Sequence, residues 1–403
     1  MQSASSFPGS GAVVIGGDYQ GLGIARNLAP LKIPVYLIDQ DFCIARYSKY
    51  VKKYFRCPRI NGNGDFHRFL VRLAEGERLR DWVLFPTMDM AVHVIARGRK
   101  ELERHYRIPT PEWEITKYLY DKKLTYEIAR ETGVPVPRTL FPRDEREIMT
   151  YNLDYPVILK PSIKDNYFPF TLQKAVRADN REELIRRYRR MASVIDPAEI
   201  MLQEFIQGCP DNLYSFCCLF SDNRVKAKLV AKRPRQHPMQ FGTATTYAYT
   251  CNIPELEEPA TRVLKRVGYY GLCEVEFMRD QKEGAFKLLE INPRTWGWHT
   301  LGSRAGVNFS YLLYLDMNGI PVQPHSSESG VKWIRELTDS CIAASEMWRR
   351  RLNPLEYLKS VRGKKELAVY RSEDPAPFFV ELLCAPYFLY KKKTRIHNGG
   401  CGD

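Results

Sequence analysis

The apolar positions of this chain fall first into short, unbroken runs. Residues 11–17 (GAVVIGG), 35–39 (VYLID) and 82–86 (WVLFP) read as buried strands, and helical patterns separate them. Strands that alternate with helices predict a parallel, Rossmann-like sheet over residues 10–110. Gly16, Gly17, Gly21 and Gly23 follow the first run, and Asp39 closes the second. The spacing GGxxxGxG is not the GxGxxG of a dinucleotide turn, and it predicts a tight strand-to-helix turn whose amides suit some anion. A Rossmann oxidoreductase would use these features alone.

Further on, residues 116–140 read as a helix with Leu124, Ile128 and Ala129 on one face. Gly133 stops it, and Pro135 and Pro137 stiffen the exit. Strand patterns recur at 155–162 (YPVILKPS), 200–206 (IMLQEFI), 213–232 and 243–250, with an arginine-rich helix at 182–191. Two segments, 273–279 and 286–291, flank a polar loop at 280–284 and predict a hairpin. After about residue 325 the pattern turns helical, basic and aromatic.

Composition narrows the class. With 403 residues, 44% hydrophobic and 27% charged, the chain suits a globular protein of several structural units. No stretch approaches the ~20 apolar residues that span a bilayer. The opening MQSASSFPGSG lacks a basic segment and apolar core, so a cytoplasmic setting is expected. Ten cysteines include no CxxC pair and the seven histidines are scattered, which favours buried reduced thiols over a zinc site. The net charge of +14 is spread along the chain with no nucleic-acid module visible, and charge alone does not choose among an acidic small molecule or precursor, an anionic membrane and nucleic acid as partner.

Candidate chemistry concentrates in residues 273–294 (CEVEFMRDQKEGAFKLLEINPR). Residue 283 lies midway between Glu276 and Glu290, so simple hairpin pairing opposes the two carboxylates, with Asn292 on the same face. Facing like charges need a cation, and two carboxylates with an amide oxygen suit Mg²⁺ (or Mn²⁺) held jointly with nucleotide phosphates. A slipped register or a solvated hairpin is the alternative, against which Val275, Phe277, Leu289 and Ile291 argue. Arg294 follows at once and is placed to clamp a developing anion. Lys160 ends an apolar strand, where a charge needs an anionic partner. Lys122 opens a helix after Asp121; it supplies a second charge or is an ordinary solvated lysine. Gln203-Glu204-Phe205-Ile206 ends a strand and offers backbone groups to an adenine ring, with Glu204 accepting from its amine and Asp211 near a ribose. Lys232, Arg233 and Arg235 either hold an acidic substrate or are solvated bases on a strand edge.

Taken in order, these segments resemble the ATP-grasp superfamily over about three quarters of the chain. The marks are Asp121-Lys122 opening a helix that ends in GVPVP, then VILKP (157–161), LQEFIQG (202–208), the pair Glu276 and Glu290, and Asn292-Pro293-Arg294. FGTATT (241–246) and HTLGSRAGVNF (299–309) look like the predicted carboligase branch that includes D-aspartate ligases. The resemblance implies α/β and α+β architecture: a Rossmann-like domain (1–115), a linker helix and small ATP-grasp subdomain (116–206), a large subdomain with the metal site (207–325) and a helical C-terminal extension (326–403). It implies that Lys122 and Lys160 contact ATP phosphates, that Glu204 sits at the adenine hinge, that Glu276, Glu290 and Asn292 hold magnesium, and that Arg294 stabilises the acyl-phosphate or tetrahedral species. The implied reaction joins a carboxylate to an amine with release of ADP and phosphate. A non-catalytic nucleotide-binding sensor is the second reading. Many members carry a glycine-rich flap; here the segment is IKDNYFPF (163–170), without glycine, and Lys164 is its only base.

The C-terminal segment 375–390 (PAPFFVELLCAPYFLY) precedes Lys391-Lys392-Lys393 and Arg395, and Trp348 precedes Arg349-Arg350-Arg351. An apolar aromatic run beside bases suits a peripheral contact with an anionic membrane. The plainer expectation is that it packs back onto the core or forms a homodimer contact, with Pro386 interrupting any helix.

Overall fold

The computed structural model describes residues 10–163, 174–208 and 210–397, with side chains to residue 387. Residues 164–170 of the flap-position segment, Lys164 and Cys209 lie outside the described residues.

The three apolar runs near the N-terminus form strands Ala12–Ile15, Val35–Asp39 and Trp82–Pro86, buried at every position. They pair in parallel, and Lys53–Arg56 and Tyr106–Arg107 complete a five-stranded sheet with Ala12–Ile15 at its centre. Strands covered on both faces have no solvent side to keep polar, hence the unbroken runs. The helix Tyr19–Leu28 follows, capped by Asp18, whose carboxylate accepts from the Tyr19 amide. The glycines serve packing. A Cβ on Gly21 would sit 2.0 Å from the Gly16 carbonyl, and one on Gly23 would sit 2.4 Å from Thr300. Asp39 accepts from the amides of Gly17 (2.6 Å) and Asp41 (2.8 Å), so its carboxylate is used inside the turn.

A four-stranded antiparallel sheet follows, in the order Thr139–Leu140, Ile200–Glu204, Val157–Pro161, Val176–Ala178. The arginine-rich helix Arg181–Ala192 lays Leu184, Tyr188 and Met191 on this unit's core, and its arginines pair outside with Glu183 and Glu145. The stretch read as a helix and linker at 116–140 holds the end of one helix, Trp113–Tyr120, and then the helix Lys122–Glu131, which opens where Asp121 caps it. Tyr126, Ile128 and Ala129 pack with Phe216, Val275 and Ile291 of the next sheet.

That sheet has eight strands. Its main path runs Phe286–Asn292, Gly271–Arg279, Leu213–Ser221, Arg224–His237, Ala244–Thr250, Lys332–Ile334, Lys365–Leu367. The last two strands come from the C-terminal region expected to be helical. At three residues each they are too short to show a period, and they dock as edge strands. Helices Glu336–Trp348, Pro354–Val361 and Ala376–His397 make up most of the remainder. The final helix continues through Pro386, contrary to the expected break; the proline lies on its exposed face.

Candidate active site

The hairpin at 271–292 positions the carboxylates, and it does so through an irregularity. Phe277 pairs with Leu288 and Met278 with Lys287, a register that would set Glu276 against Leu289. One extra residue between Glu276 and Phe277's partners shifts the ladder, so Glu276 faces Glu290 and Glu274 faces Asn292. A β-bulge of this kind re-aims the side chains beyond it. The opposed pair expected from simple pairing therefore depends on a bulge.

Glu274, Glu276, Glu290 and Asn292 are 4–7% exposed and line one cavity of about 210 Å³. Buried like charges demand counter-charges, and these come from other elements. The Arg233 guanidinium lies 2.6 Å from Glu276 and 3.4 Å from Glu274. Lys174 lies 2.9 Å from one Glu290 oxygen and Lys122 3.3 Å from the other. Asn292 donates to Glu274 (3.2 Å) and Glu276 (3.0 Å), which orients its amide. Burial raises the Glu274 carboxyl above the usual range, with Arg233 opposing.

Lys160 lines the same cavity from the small sheet. Burial pushes its ammonium down to about 8, while Glu290 opposes the shift and Lys174 adds to it. Arg294 reaches back to Asp89 (2.8 Å) at the start of the helix Asp89–Arg97 in the first domain. Tyr19 and Gln20, on the first turn of Tyr19–Leu28, complete that end. The opposite end is apolar, lined by Ile158, Phe205, Ile206, Leu213, Met278 and Leu289.

The residues singled out from sequence divide accordingly. Lys122, Lys160, Gln203, Glu204, Phe205, Ile206, Glu276, Glu290, Asn292, Arg294 and Arg233 all line the cavity. Two of them have side chains engaged within the protein. Glu204 accepts from Lys287 (2.8 Å) and the Arg138 amide (3.0 Å), so its carboxylate is held at the rim. Gln203 donates its amide to Tyr126 and Thr139 in the core, which leaves the backbone of 204–206 as the strand-end feature facing the slot. Asp211 is exposed and outside the cavity lining. Lys232 lies over the Tyr214 ring at 5.7 Å, and Arg235 makes two 2.8 Å hydrogen bonds to fully buried Asp339. Register shifts between Lys232 and Gln236 bring Arg233 and Gln236 to the cavity and turn Arg235 to the helix Glu336–Trp348.

Tyr19, Asp89, Lys174 and Glu274 were not anticipated. Glu274 was within reach, since it stands two residues before Glu276 on one strand face. The other three come from distant segments with no local signature.

The carboxylates and amide are hard oxygen donors that fit a divalent cation. Among the described residues no group of three or more His, Cys, Asp or Glu is arranged to hold a metal. Two carboxylates and an amide would leave a Mg²⁺ ion positions for phosphate and water.

A parallel-sheet domain, a small antiparallel sheet and a large one enclosing a cavity of lysines and paired carboxylates are the parts of one known architecture. Residues 197–338 match a family model described as ATP-grasp in the biosynthetic pathway with Ter operon. These residues, about a third of the chain, carry an ATP-grasp match. The chain is 24% identical over 300 residues to a D-aspartate ligase of Enterococcus faecium, covering 70% of each chain. Two solved structures share the ATP-grasp fold with it. An L-amino acid ligase from Bacillus licheniformis superposes with a TM-score of 0.60 at 16% identity, covering 77% of this chain and 75% of that one. An N5-carboxyaminoimidazole synthetase from Staphylococcus aureus gives 0.65 at 15% identity, covering 85% and 86%.

Proposed function

We propose that this ATP-grasp protein is an ATP-dependent carboxylate–amine ligase: a carboxylate attacks the γ-phosphorus of ATP, ADP departs, and an amine displaces phosphate from the acyl phosphate to give an amide. The observation that carries the reading is the convergence of Lys122, Lys160 and Lys174 on the opposed pair Glu276 and Glu290 within one cavity. Phosphoryl transfer to a carboxylate needs alignment and charge neutralisation more than a side-chain nucleophile. The apolar slot with the 204–206 backbone takes the adenine. Lys122, Lys160 and Lys174 hold phosphate oxygens. Glu276, Glu290 and Asn292 hold Mg²⁺, which when bound neutralises phosphate charge. Arg294, fixed by Asp89, meets the oxyanion formed when the amine attacks. Tyr19 and Gln20 bring the first domain to that end, where an acidic substrate finds Arg294 and Arg233.

The described cysteines are free thiols, which suits the cytoplasmic setting that forms part of this proposal. The test is phosphate release from Mg·ATP across a panel of amino acids supplied as carboxylate and as amine. D-aspartate belongs in the panel because of the Enterococcus faecium relative. Release that needs both substrates, with an amide product in the mass spectrum, supports the reading. ATP turnover indifferent to every pair defeats it.

A further inference from the structure

The C-terminal helix Ala376–His397 is, over its described side chains, apolar on its outer face as well as its inner one. Phe378 and Val380 pack against the hydrophobic core, and Glu381, the helix's only acidic residue, is 8% exposed and paired with Arg335. The outer face carries Ala376, Phe379, Leu382, Leu383, Pro386 and Tyr387, all exposed. Their three- and four-residue spacing makes one stripe along the helix. Phe379 is 54% exposed and Leu383 80%. A surface helix normally presents its polar side to water, so an apolar stripe of this length marks an interaction face.

The apolar surface continues onto the first domain, and bases border it. Tyr387 meets Phe42 edge-on at 6.0 Å, and Phe42 meets half-exposed Tyr47 at 5.8 Å. Arg46 lies over the Tyr47 ring, and Arg46 and Lys49 are exposed. Beyond Tyr387 the sequence runs through Lys391-Lys392-Lys393 and Arg395 to His397 without an acidic residue. Among the described residues no helix is long and apolar enough to cross a membrane.

We propose that this face docks on an anionic lipid surface, with the helix lying in the interface plane and the bases meeting lipid phosphates. An amphipathic helix and a basic cluster are the two signals that together hold a protein at such a surface. A second copy fits less well. A stripe one helix wide offers roughly half of the ~800 Å² that each partner buries in a standard interface. Pairing two such faces would also crowd their bases together. The docked helix is tied to the cavity through one side chain. Arg335, the partner of Glu381, reaches Asp18 at 3.4 Å and lies 4.4 Å over the ring of Tyr19, which lines the cavity.

The test is co-sedimentation of the full chain with phosphatidylcholine vesicles, alone or mixed with phosphatidylglycerol, alongside light scattering. Wild type should pellet with the mixed vesicles and stay in solution with phosphatidylcholine alone. Leu383→Glu lies on an exposed position and should lower partitioning at least tenfold, with thermal unfolding and nucleotide affinity unchanged. Reversing Lys391, Lys392 and Lys393 to Glu should lower it by roughly fivefold or more per base. Negligible pelleting, pelleting independent of lipid charge, or full pelleting by Leu383→Glu overturns the proposal. So does a solution dimer that Leu383→Glu splits with no change in vesicle binding.

Discussion

Lys160 offers a quantitative test, because its perturbation and its proposed ligand act in opposite directions. Burial holds its ammonium at about 8 against an ordinary 10.5, a difference of about 3 kcal/mol at 1.36 kcal/mol per unit. Roughly nine-tenths of the free protein carries the Lys160 proton at pH 7, and roughly one-tenth at pH 9. A phosphate at the ammonium favours the charged form, so nucleotide binding above pH 8 should take up a proton. The Mg·ADP affinity should fall roughly tenfold between pH 7 and pH 9, with uptake nearing one proton at the upper end. Calorimetric titration in buffers of different ionisation enthalpy measures both quantities. Lys160→Met should weaken binding at pH 7 and remove the pH dependence. The sign for folding is opposite: between pH 8 and 10.5 the unfolded chain holds a proton that the native state lacks, so the ligand-free protein gains stability as pH rises. Affinity flat across this range, or a pH dependence that survives in Lys160→Met, would refute the assignment of Lys160 to the phosphates.

Three further outcomes are expected. Glu290→Gln should abolish phosphate release while Mg·ADP still binds, since Lys122 and Lys174 remain; turnover at the wild-type rate, or in excess chelator, would remove the metal assignment. Arg294→Ala should lower kcat by roughly 10²–10³, about 3–4 kcal/mol, with little change in nucleotide affinity; an effect confined to the KM for ATP would make Arg294 a ground-state phosphate contact. Asp339→Asn leaves Arg235 charged and buried without its counter-ion, and should destabilise the fold by about 3–5 kcal/mol with KM unchanged in the folded fraction, as thermal unfolding and kinetics would show.

The parts of the fold legible in sequence are those carried by local period. The unbroken strands of the first sheet and the opposed segments of the carboxylate hairpin needed only the spacing of apolar residues. Lys232, Arg233 and Arg235 show where that method stops. Alternation puts Arg233 and Arg235 on one face, but the irregular pairing of that strand sends Arg233 to the carboxylates and Arg235 to Asp339. Pro234, which cannot donate to the ladder, stands between the two arginines and is the local sign of such a shift. Lys174, Asp89 and Tyr19 were hidden for another reason, because their proximity to Glu290 and Arg294 is created by three separately formed units closing together. The outward apolar face of the last helix became visible only once Glu381 was seen to point inward.

The bulge between Glu276 and Phe277 separates two kinds of sequence change. Chain length in the loop 280–284 lies outside the ladder, so an inserted tag there would lengthen the connection and leave Glu276 opposite Glu290. Removing Leu289 would close the bulge to regular pairing and leave Glu290 opposite Glu276, whereas removing Ile291 would carry Asn292 one position along the strand, opposite Val275 and onto the other side of the sheet. A single codon deleted at 291 should therefore silence the protein more thoroughly than several added ten codons upstream.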